Sequence, residues 1–266
     1  MRRLAVLAAS ARELAPAESV FGLFVRRQHD RLGSFPHQVG QVGGLELHLI
    51  ETGVGPERAR KASEMALLAL APDALISTGY AGALGVAAVG EVILGTNVID
   101  WTEEESHAVI QVNPDLLGSA RVTARNAGIG WSQGPVVTVK NVLCRASEKQ
   151  ALGGVSGAVA VDMESAVIAK VATTARIPFL VVRAISDRVG DDLPMDFNLW
   201  FSPFGSFRCL LKAVQHPSIL SGLYEMKRHA DQASESLRRF FCAWVLVLES
   251  QLPPPDAEAT LTMGAR

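Results

Sequence analysis

The chain has 266 residues, of which 48% are hydrophobic and 20% are charged, and its net charge is −2. This length and apolar content suit one large globular domain. The small net charge and the lack of any run of five basic residues argue against a nucleic-acid partner. We therefore expect a single domain over residues 1–250 and a disordered, proline-led tail at 251–266.

Apolar strand-like runs alternate with helical periodicity along the chain. The first run, 4–9, follows M-R-R and faintly resembles a signal peptide, but charged residues follow at once and favour a β-strand. The predicted strands are 4–9, 38–42, 45–51, 74–78, 91–99, 135–139, 158–161 and 178–185. The predicted helices are 57–71, 113–127, 162–176, 205–214 and 217–249. This order predicts a three-layer α/β/α domain with a mixed central sheet.

The cysteines, Cys144, Cys209 and Cys242, are scattered and odd in number. Neither they nor the six histidines show the spacing of a metal site. G-x-G-x-x-G and the phosphate-loop motif G-x-x-x-x-G-K are also absent from the sequence. We therefore expect no metal, no cofactor and no disulfide scaffold, and the thiols fit a reducing cytoplasm.

Acidic residues stand where predicted strands end. Asp162 and Glu164 lie between one strand and the next helix, Asp187 ends another strand, and Glu13 follows the first. Open parallel sheets bind ligands outside the carboxyl ends of their strands. A carboxyl group partly removed from water there can hold a proton near neutrality and act as a general acid. A second carboxylate could accept from both hydroxyls of a ribose diol.

Each acid also has a purely structural interpretation. Ser186-Asp187 are turn formers, so Asp187 could simply belong to a turn. Asp162 could complement a helix dipole, whereas Glu164, two residues later, cannot cap that helix in the same way. Ser10 and Glu13 form an S-x-x-E capping-box pattern. The residues by themselves leave these alternatives open.

Glycine turns lie beside the same strand ends. Gly53 and Gly55 precede a helix and could hold an anion with backbone N–H groups. Gly79 and Gly82 would let the backbone approach a ligand closely.

Several motifs together resemble the nucleoside phosphorylase and nucleosidase superfamily. They are V-D-M-E-S at 161–165, R-A-I-S-D at 183–187, S-T-G-Y-A-G-A-L at 77–84, V-G-E-V-I-L at 89–94 and E-T-G-V-G at 51–55. The resemblance covers about residues 4 to 200 and implies that superfamily's fold and chemistry. The members that it includes are of the purine nucleoside phosphorylase and methylthioadenosine/adenosylhomocysteine nucleosidase type.

The resemblance implies a role for each acid. Asp187 would protonate N7 of a departing purine, Glu164 with Met163 would hold the ribose hydroxyls, and Glu13 would activate water. Residues 138–143 would line the base pocket, and Val54 would face the 5′ substituent. The substrate-binding residues implied are Val54, Tyr80, Ala81, Gly82, Thr138, Val139, Asn141, Val142, Asp162, Met163 and Glu164.

The chain also departs from the superfamily pattern. Asp162 stands where glutamate is usual, and Ser77 and Tyr80 occupy places where phosphorylases carry an arginine and a serine for phosphate. A tyrosine hydroxyl brings no charge and one donor, which favours hydrolysis over phosphorolysis. The predicted activity is cleavage of the N-glycosidic bond of a 5′-substituted adenosine. A phosphate-dependent phosphorylase and an inactive nucleoside-binding protein are the alternatives.

V-D-M-E-S, R-A-I-S-D followed by D-D-L-P, and the long helical end are most similar to the hopanoid-associated phosphorylase branch. That branch implies a lipid-linked nucleoside such as adenosylhopane and a homo-oligomer. Aromatic residues at 197, 200, 201, 204 and 207 could form an apolar lid or could simply pack a loop. The apolar run 240–248 favours a core or subunit-interface helix over contact with a membrane surface.

Overall fold

The computed structural model describes residues 1–22, 27–103, 107–198 and 217–252. The strands are β1 Arg3–Ala8, β2 Arg27–Leu32, β3 Phe35–Val42, β4 Leu45–Glu51, β5 Ala74–Ala83, β6 Val92–Asp100, β7 Val109–Gln111, β8 Trp131–Thr138, β9 Ala160–Asp162 and β10 Phe179–Asp187. The α-helices are α1 Ala11–Glu18, α2 Pro56–Leu70, α3 Pro114–Asn126, α4 Ala146–Ser156, α5 Ser165–Thr174 and α6 Pro217–Ser250. A 3₁₀ turn, Ser19–Gly22, follows α1.

All ten strands join one mixed sheet, part of which closes on itself. β2, β3 and β4 are antiparallel neighbours, and β4, β1, β5 and β10 continue the sheet in parallel. β5 is long enough to pair with β1 through residues 74–77 and with β9 through 82–83, while β10 runs along its other edge. β10 then pairs with β6, β6 with β8, and β8 with β9. The ring β5–β10–β6–β8–β9 is therefore a small closed barrel, which leaves those strands without free edges.

Helices cover the sheet in two groups. α6 packs against α1, α3 and β10, and α2 packs against α5. This arrangement confirms the predicted three-layer α/β/α fold with a mixed sheet. β1 is buried along almost its whole length, as a strand covered on both faces should be.

One face of the apolar run 240–248 lies inside this core. Phe240, Phe241, Trp244 and Val245 are fully buried, and the Trp244 indole N–H donates to the Ser119 hydroxyl on α3 across 2.9 Å. The core interpretation of this run is therefore right. No helix in the described part of the chain is long and apolar enough to cross a membrane.

The structure adds four elements that the sequence pattern did not predict: β2, β7, α1 and α4. β2 is polar and β7 has three residues, so neither carries a clear apolar signal, and both form by pairing with a neighbour. The helix predicted from residue 162 begins only at Ser165, because Asp162 still pairs in β9. The predicted helix 205–214 and residues 253–266 of the predicted tail lie outside the described residues. Leu252, at the other end of that tail, packs against the core.

Candidate active site

A cavity of about 300 Å³ opens where β1, β5, β8, β9 and β10 end. Apart from Thr138, every site residue predicted from the sequence lines it. Those residues are Glu13, Val54, Tyr80, Ala81, Gly82, Val139, Asn141, Val142, Asp162, Met163, Glu164 and Asp187. Thr138 is fully buried behind the wall, where its hydroxyl donates to Asp162 Oδ1 across 2.7 Å.

The carboxylate of Asp187 is held by two side-chain donors. Lys149 Nζ donates to Oδ2 across 2.7 Å, and the Ser186 hydroxyl donates to Oδ1 across 2.9 Å. Gly82 stands opposite, where a Cβ would come within 3.1 Å of Oδ2. A turn or cap aspartate would instead accept from backbone N–H groups. The side chain of Asp187 thus lines the cavity and bonds to side-chain donors, unlike that of a turn or cap aspartate.

Glu164 occupies the N-cap position of α5 but makes no side-chain capping bond. Its Oε1 instead accepts from the backbone N–H of Gly55 across 2.9 Å. Burial raises the pKa of Glu164 to about 7, and the nearby positive charge of Arg183 opposes that rise. The cavity therefore holds a carboxyl group that changes charge near neutral pH.

Glu13 follows β1 in the first turn of α1. Ser10 is the N-cap of this helix, and its hydroxyl donates to Glu13 Oε2 across 2.9 Å. The other oxygen, Oε1, accepts from the backbone N–H of Tyr80 across 3.0 Å. The capping and site interpretations of Glu13 are therefore compatible, because the helix start itself fixes the carboxylate at the cavity.

Gly79 makes room for that carboxylate. Its φ is +139°, and a Cβ there would lie 2.5 Å from both Glu13 Oε1 and Arg183 Nη1. A side chain at this position would be strained and would displace one of these two charged groups.

Asp162 belongs to a buried ion pair beneath the cavity. Its Oδ2 accepts from Arg183 Nε across 2.9 Å and lies 2.8 Å from Arg183 Nη2. Its Oδ1 accepts from the Thr138 hydroxyl and, across 3.2 Å, from the backbone N–H of Ser165. Arg183 further donates to the Ser77 hydroxyl and the Thr78 carbonyl. Both charges are thus satisfied inside the protein, which suits a supporting role better than ligand binding.

The remaining walls are mostly apolar. Val139, Leu143, Leu193 and Phe197 line the cavity. The wall segment 139–143 is tied to the loop after β10, because the Asn198 amide bonds both the N–H and the carbonyl of Val142, across 2.8 and 2.9 Å. Of the five aromatic residues that could form a lid or pack a loop, Phe197 lines the cavity, and the other four lie outside the described residues.

Lys149 and Met226 also line the cavity but escaped prediction from the sequence. Lys149 lies on α4, whose two adjacent glycines weaken the helical signal, and Met226 lies on α6, more than 30 residues after β10. Lys149 and Leu152 are the two buried residues of α4. A lysine on the same helix face as an apolar residue was the only sequence signal that could have indicated Lys149.

The model of the phosphorylase superfamily matches residues 3–203. The chain belongs to this superfamily. It is therefore an enzyme of the nucleosidase and phosphorylase type, which acts on N-glycosyl bonds, as the sequence motifs implied.

Relatives within the superfamily are similar over most of their length. The chain is 29% identical over 213 residues to a protein of Chromohalobacter salexigens named 5′-methylthioadenosine/S-adenosylhomocysteine nucleosidase, covering 74% of this chain and 89% of that protein. It is 27% identical over 187 residues to a protein of the same name from Shewanella pealeana, covering 65% and 81% of the two chains.

Solved structures show the same fold. The nucleosidase of Helicobacter pylori superposes with a TM-score of 0.73 at 18% identity, covering 92% of this chain and 97% of that one. The nucleosidase of Neisseria meningitidis, in complex with methylthio-immucillin-A, gives 0.73 at 20% identity, covering 94% and 100%. The futalosine hydrolase of Helicobacter pylori gives 0.70 at 18% identity, covering 90% and 97%.

Proposed function

We propose that this superfamily member hydrolyses the N-glycosidic bond of a 5′-substituted adenosine and releases adenine. The observation that carries the proposal is the placement of Glu13, Glu164 and Asp187 around one cavity that is otherwise largely apolar. The names of the relatives, which are nucleosidases rather than phosphorylases, support the same reaction.

The reaction needs a proton for the leaving base and a stabilised sugar cation. Asp187 delivers the proton to N7, so that the purine departs neutral as the C1′–N9 bond breaks. The oxocarbenium-like sugar is then captured by water. Glu13, held by Ser10 and the Tyr80 N–H, takes a proton from that water as it attacks. Glu164 accepts from the ribose hydroxyls, and its negative charge favours the cationic transition state.

The 5′ substituent of the substrate lies toward Val54. This residue lines the cavity and is 41% exposed, so the cavity reaches solvent there. Met163, Phe197 and Met226 extend the apolar lining. A short thioether fits such a wall, and a long apolar chain could continue out past Val54. The similarity to the hopanoid-associated branch favours the lipid-linked substrate, of the adenosylhopane type.

Water rather than phosphate is the proposed nucleophile. The carboxylate of Glu13 would repel a phosphate dianion placed beside it. Two buried cations near the cavity, Arg183 and Lys149, are already paired with Asp162 and Asp187. Turnover that rises with phosphate concentration and yields ribose 1-phosphate would instead establish the phosphorylase alternative.

Adenine release from methylthioadenosine, adenosylhomocysteine and a lipid-linked adenosine tests the proposal. We expect turnover of at least one of them, lowered about 10²–10⁴-fold in Asp187→Asn. Asp115→Asn, the same change at an exposed site in α3, serves as the matched control and should keep wild-type activity. Full activity in Asp187→Asn would refute the assigned acid, and tight adenosine binding without product would establish the inactive binding protein.

A further inference from the structure

Lys149 lines the cavity but has no role in the proposed reaction. Its side chain is fully buried, although an ammonium group is among the most costly groups to remove from water. α4 comes very close to the end of β5, since a Cβ on Gly153 would lie 2.5 Å from the carbonyl oxygen of Leu84. Lys149 lies one turn before Gly153 on the same side of the helix. Helix α4 thus lies closest to the end of β5 near the position from which the Lys149 side chain reaches the cavity.

The ammonium group has two short contacts, and both are to the end of β10. Nζ donates to Asp187 Oδ2 across 2.7 Å and to the Arg188 carbonyl across 2.6 Å. The first contact stabilises the carboxylate form of Asp187, and the second fixes the position of the lysine. Among the described residues, the carboxylate has Lys149 and Ser186 as its hydrogen-bond partners, and both are donors.

This pairing conflicts with the simplest version of the mechanism. A general acid must begin with a proton, but a carboxyl group beside an ammonium is stabilised in its ionised form. Of the two donors to Asp187, a lysine ammonium is a far stronger acid than a serine hydroxyl. The ion pair of Lys149 and Asp187, rather than Asp187 alone, can therefore supply the proton for the leaving purine.

We propose that Lys149 is the positioning residue that holds Asp187 as an oriented carboxylate and supplies the proton that Asp187 passes to N7 of the leaving purine. This inference rests on the proposed function. The Lys149 N–H bond breaks and its proton moves to the carboxylate of Asp187. As the C1′–N9 bond breaks and its electron pair goes to the purine, Asp187 gives a proton to N7. Asp187 therefore ends, as it began, as a carboxylate, and Lys149 ends as a neutral amine.

The cycle closes with water. Glu13 accepts a proton from the attacking water and returns it to solvent, and Lys149 takes one proton from solvent after adenine leaves. The net reaction consumes one nucleoside and one water molecule and needs no other reactant.

Other ionisable groups surround the pair and are the same in every variant. Those lining the same cavity are Glu13, Tyr80, Asp162 and Glu164. Those on the far side of Asp187 and around α4 are Cys144, Arg145, Glu148, Arg188, Asp191, Asp192, Asp196, Glu225, Arg228 and His229. The test must therefore compare variants that differ at Lys149 alone, so that the other groups contribute equally.

The decisive readout is the pH profile of kcat/KM with methylthioadenosine as the probe. In Lys149→Met, Asp187 lacks its cation and must carry the proton itself. We expect the alkaline limb to move down by about one pH unit or more, with near wild-type rates at the acidic end. Lys149→Arg keeps the charge without a usable proton, so kcat should fall about 10²-fold or more at all pH values with little change in KM.

Lys61→Met, the same change at an exposed lysine of α2, is the matched control and should reproduce the wild-type profile. Profiles of the Met and Arg variants that superimpose on the wild type after scaling would overturn the role of Lys149 while leaving the proposed function intact. If Lys149→Met does not fold, the Arg variant decides: full kcat in it overturns the proposal. Wild-type protein that releases no adenine from any of the three nucleosides refutes the proposed function, and the proton relay with it.

Discussion

The backbone N–H of Gly55 donates to Oε1 of Glu164 across 2.9 Å, joining the loop after β4 to the start of α5. The two residues are 109 positions apart in the chain. This bond holds the Glu164 carboxyl group at the cavity wall, where burial raises its pKa to about 7.

The pKa of Glu164 predicts that nucleoside binding depends on pH. Ribose hydroxyls donate to the ionised carboxylate, so binding should strengthen as the pH rises through 7. In an Asp187→Asn background, which limits turnover, we expect the Kd for methylthioadenosine to be about tenfold weaker at pH 5.5 than at pH 8. Calorimetry measures this, and adding Glu164→Gln should flatten the dependence. An unchanged slope in that double variant would assign the pH effect to another group.

The raised pKa of Glu164 has the opposite effect on the stability of the ligand-free protein, which should fall as the pH rises. An acid whose pKa is raised by folding stabilises the native state below its unfolded pKa and loses that contribution as the pH rises through the folded value. The ionised Glu164 should therefore lower the stability as the pH rises from its usual pKa of 4.5 to its folded pKa of about 7, by about 3 kcal/mol at most. Urea unfolding of wild type and Glu164→Gln across this range should show a smaller decline in the variant.

Gly79→Ala should impair catalysis by displacing Glu13 or Arg183, because its Cβ would lie 2.5 Å from each. We expect about 1–3 kcal/mol of destabilisation and a fall in kcat of about 10²-fold. Gly118→Ala in α3 adds the same methyl group where nothing lies within 4 Å and should be neutral or slightly stabilising. Activity assays and thermal unfolding of both variants measure the difference; equal behaviour of the two would contradict the steric argument.

Arg183→Met should destabilise the protein by about 3–5 kcal/mol, because it leaves the Asp162 carboxylate buried without its partner. Adding Asp162→Asn removes that unpaired charge, so the double variant should recover part of the loss. Urea unfolding gives both values. A double variant as unstable as the sum of the two single variants would show that the charges are not coupled.

Phe240→Ala should cost about 3–5 kcal/mol, because the ring is fully buried between α6 and the rest of the core. Leu246 lies in the same apolar run but is 42% exposed, so Leu246→Ala should cost under about 1 kcal/mol. Thermal unfolding of the two variants distinguishes a core helix from a surface one. Similar losses in both would mean that a partner covers Leu246.

The sequence by itself determined eight of the ten described strands, and the edge of the sheet at which the acids gather. Glu13 and Asp187 follow or end apolar runs, and the carboxyl ends of parallel strands share one edge of a sheet. Local periodicity carries this information, because burial of a strand or a helix face repeats along neighbouring residues. The sequence motifs also indicated the superfamily, and the match to the superfamily model confirmed it.

Only the tertiary structure decided which groups meet those acids. Closure of the barrel depends on β5 pairing with both β9 and β10, and no local pattern records the number of partners of a strand. Lys149 bonds to Asp187 although the two residues are 38 positions apart and the sequence of α4 gives only a weak helical signal. Arg183 forms a buried ion pair with Asp162. These contacts join residues that are distant in sequence, and chain packing brings them together, so neighbouring residues carry no trace of them.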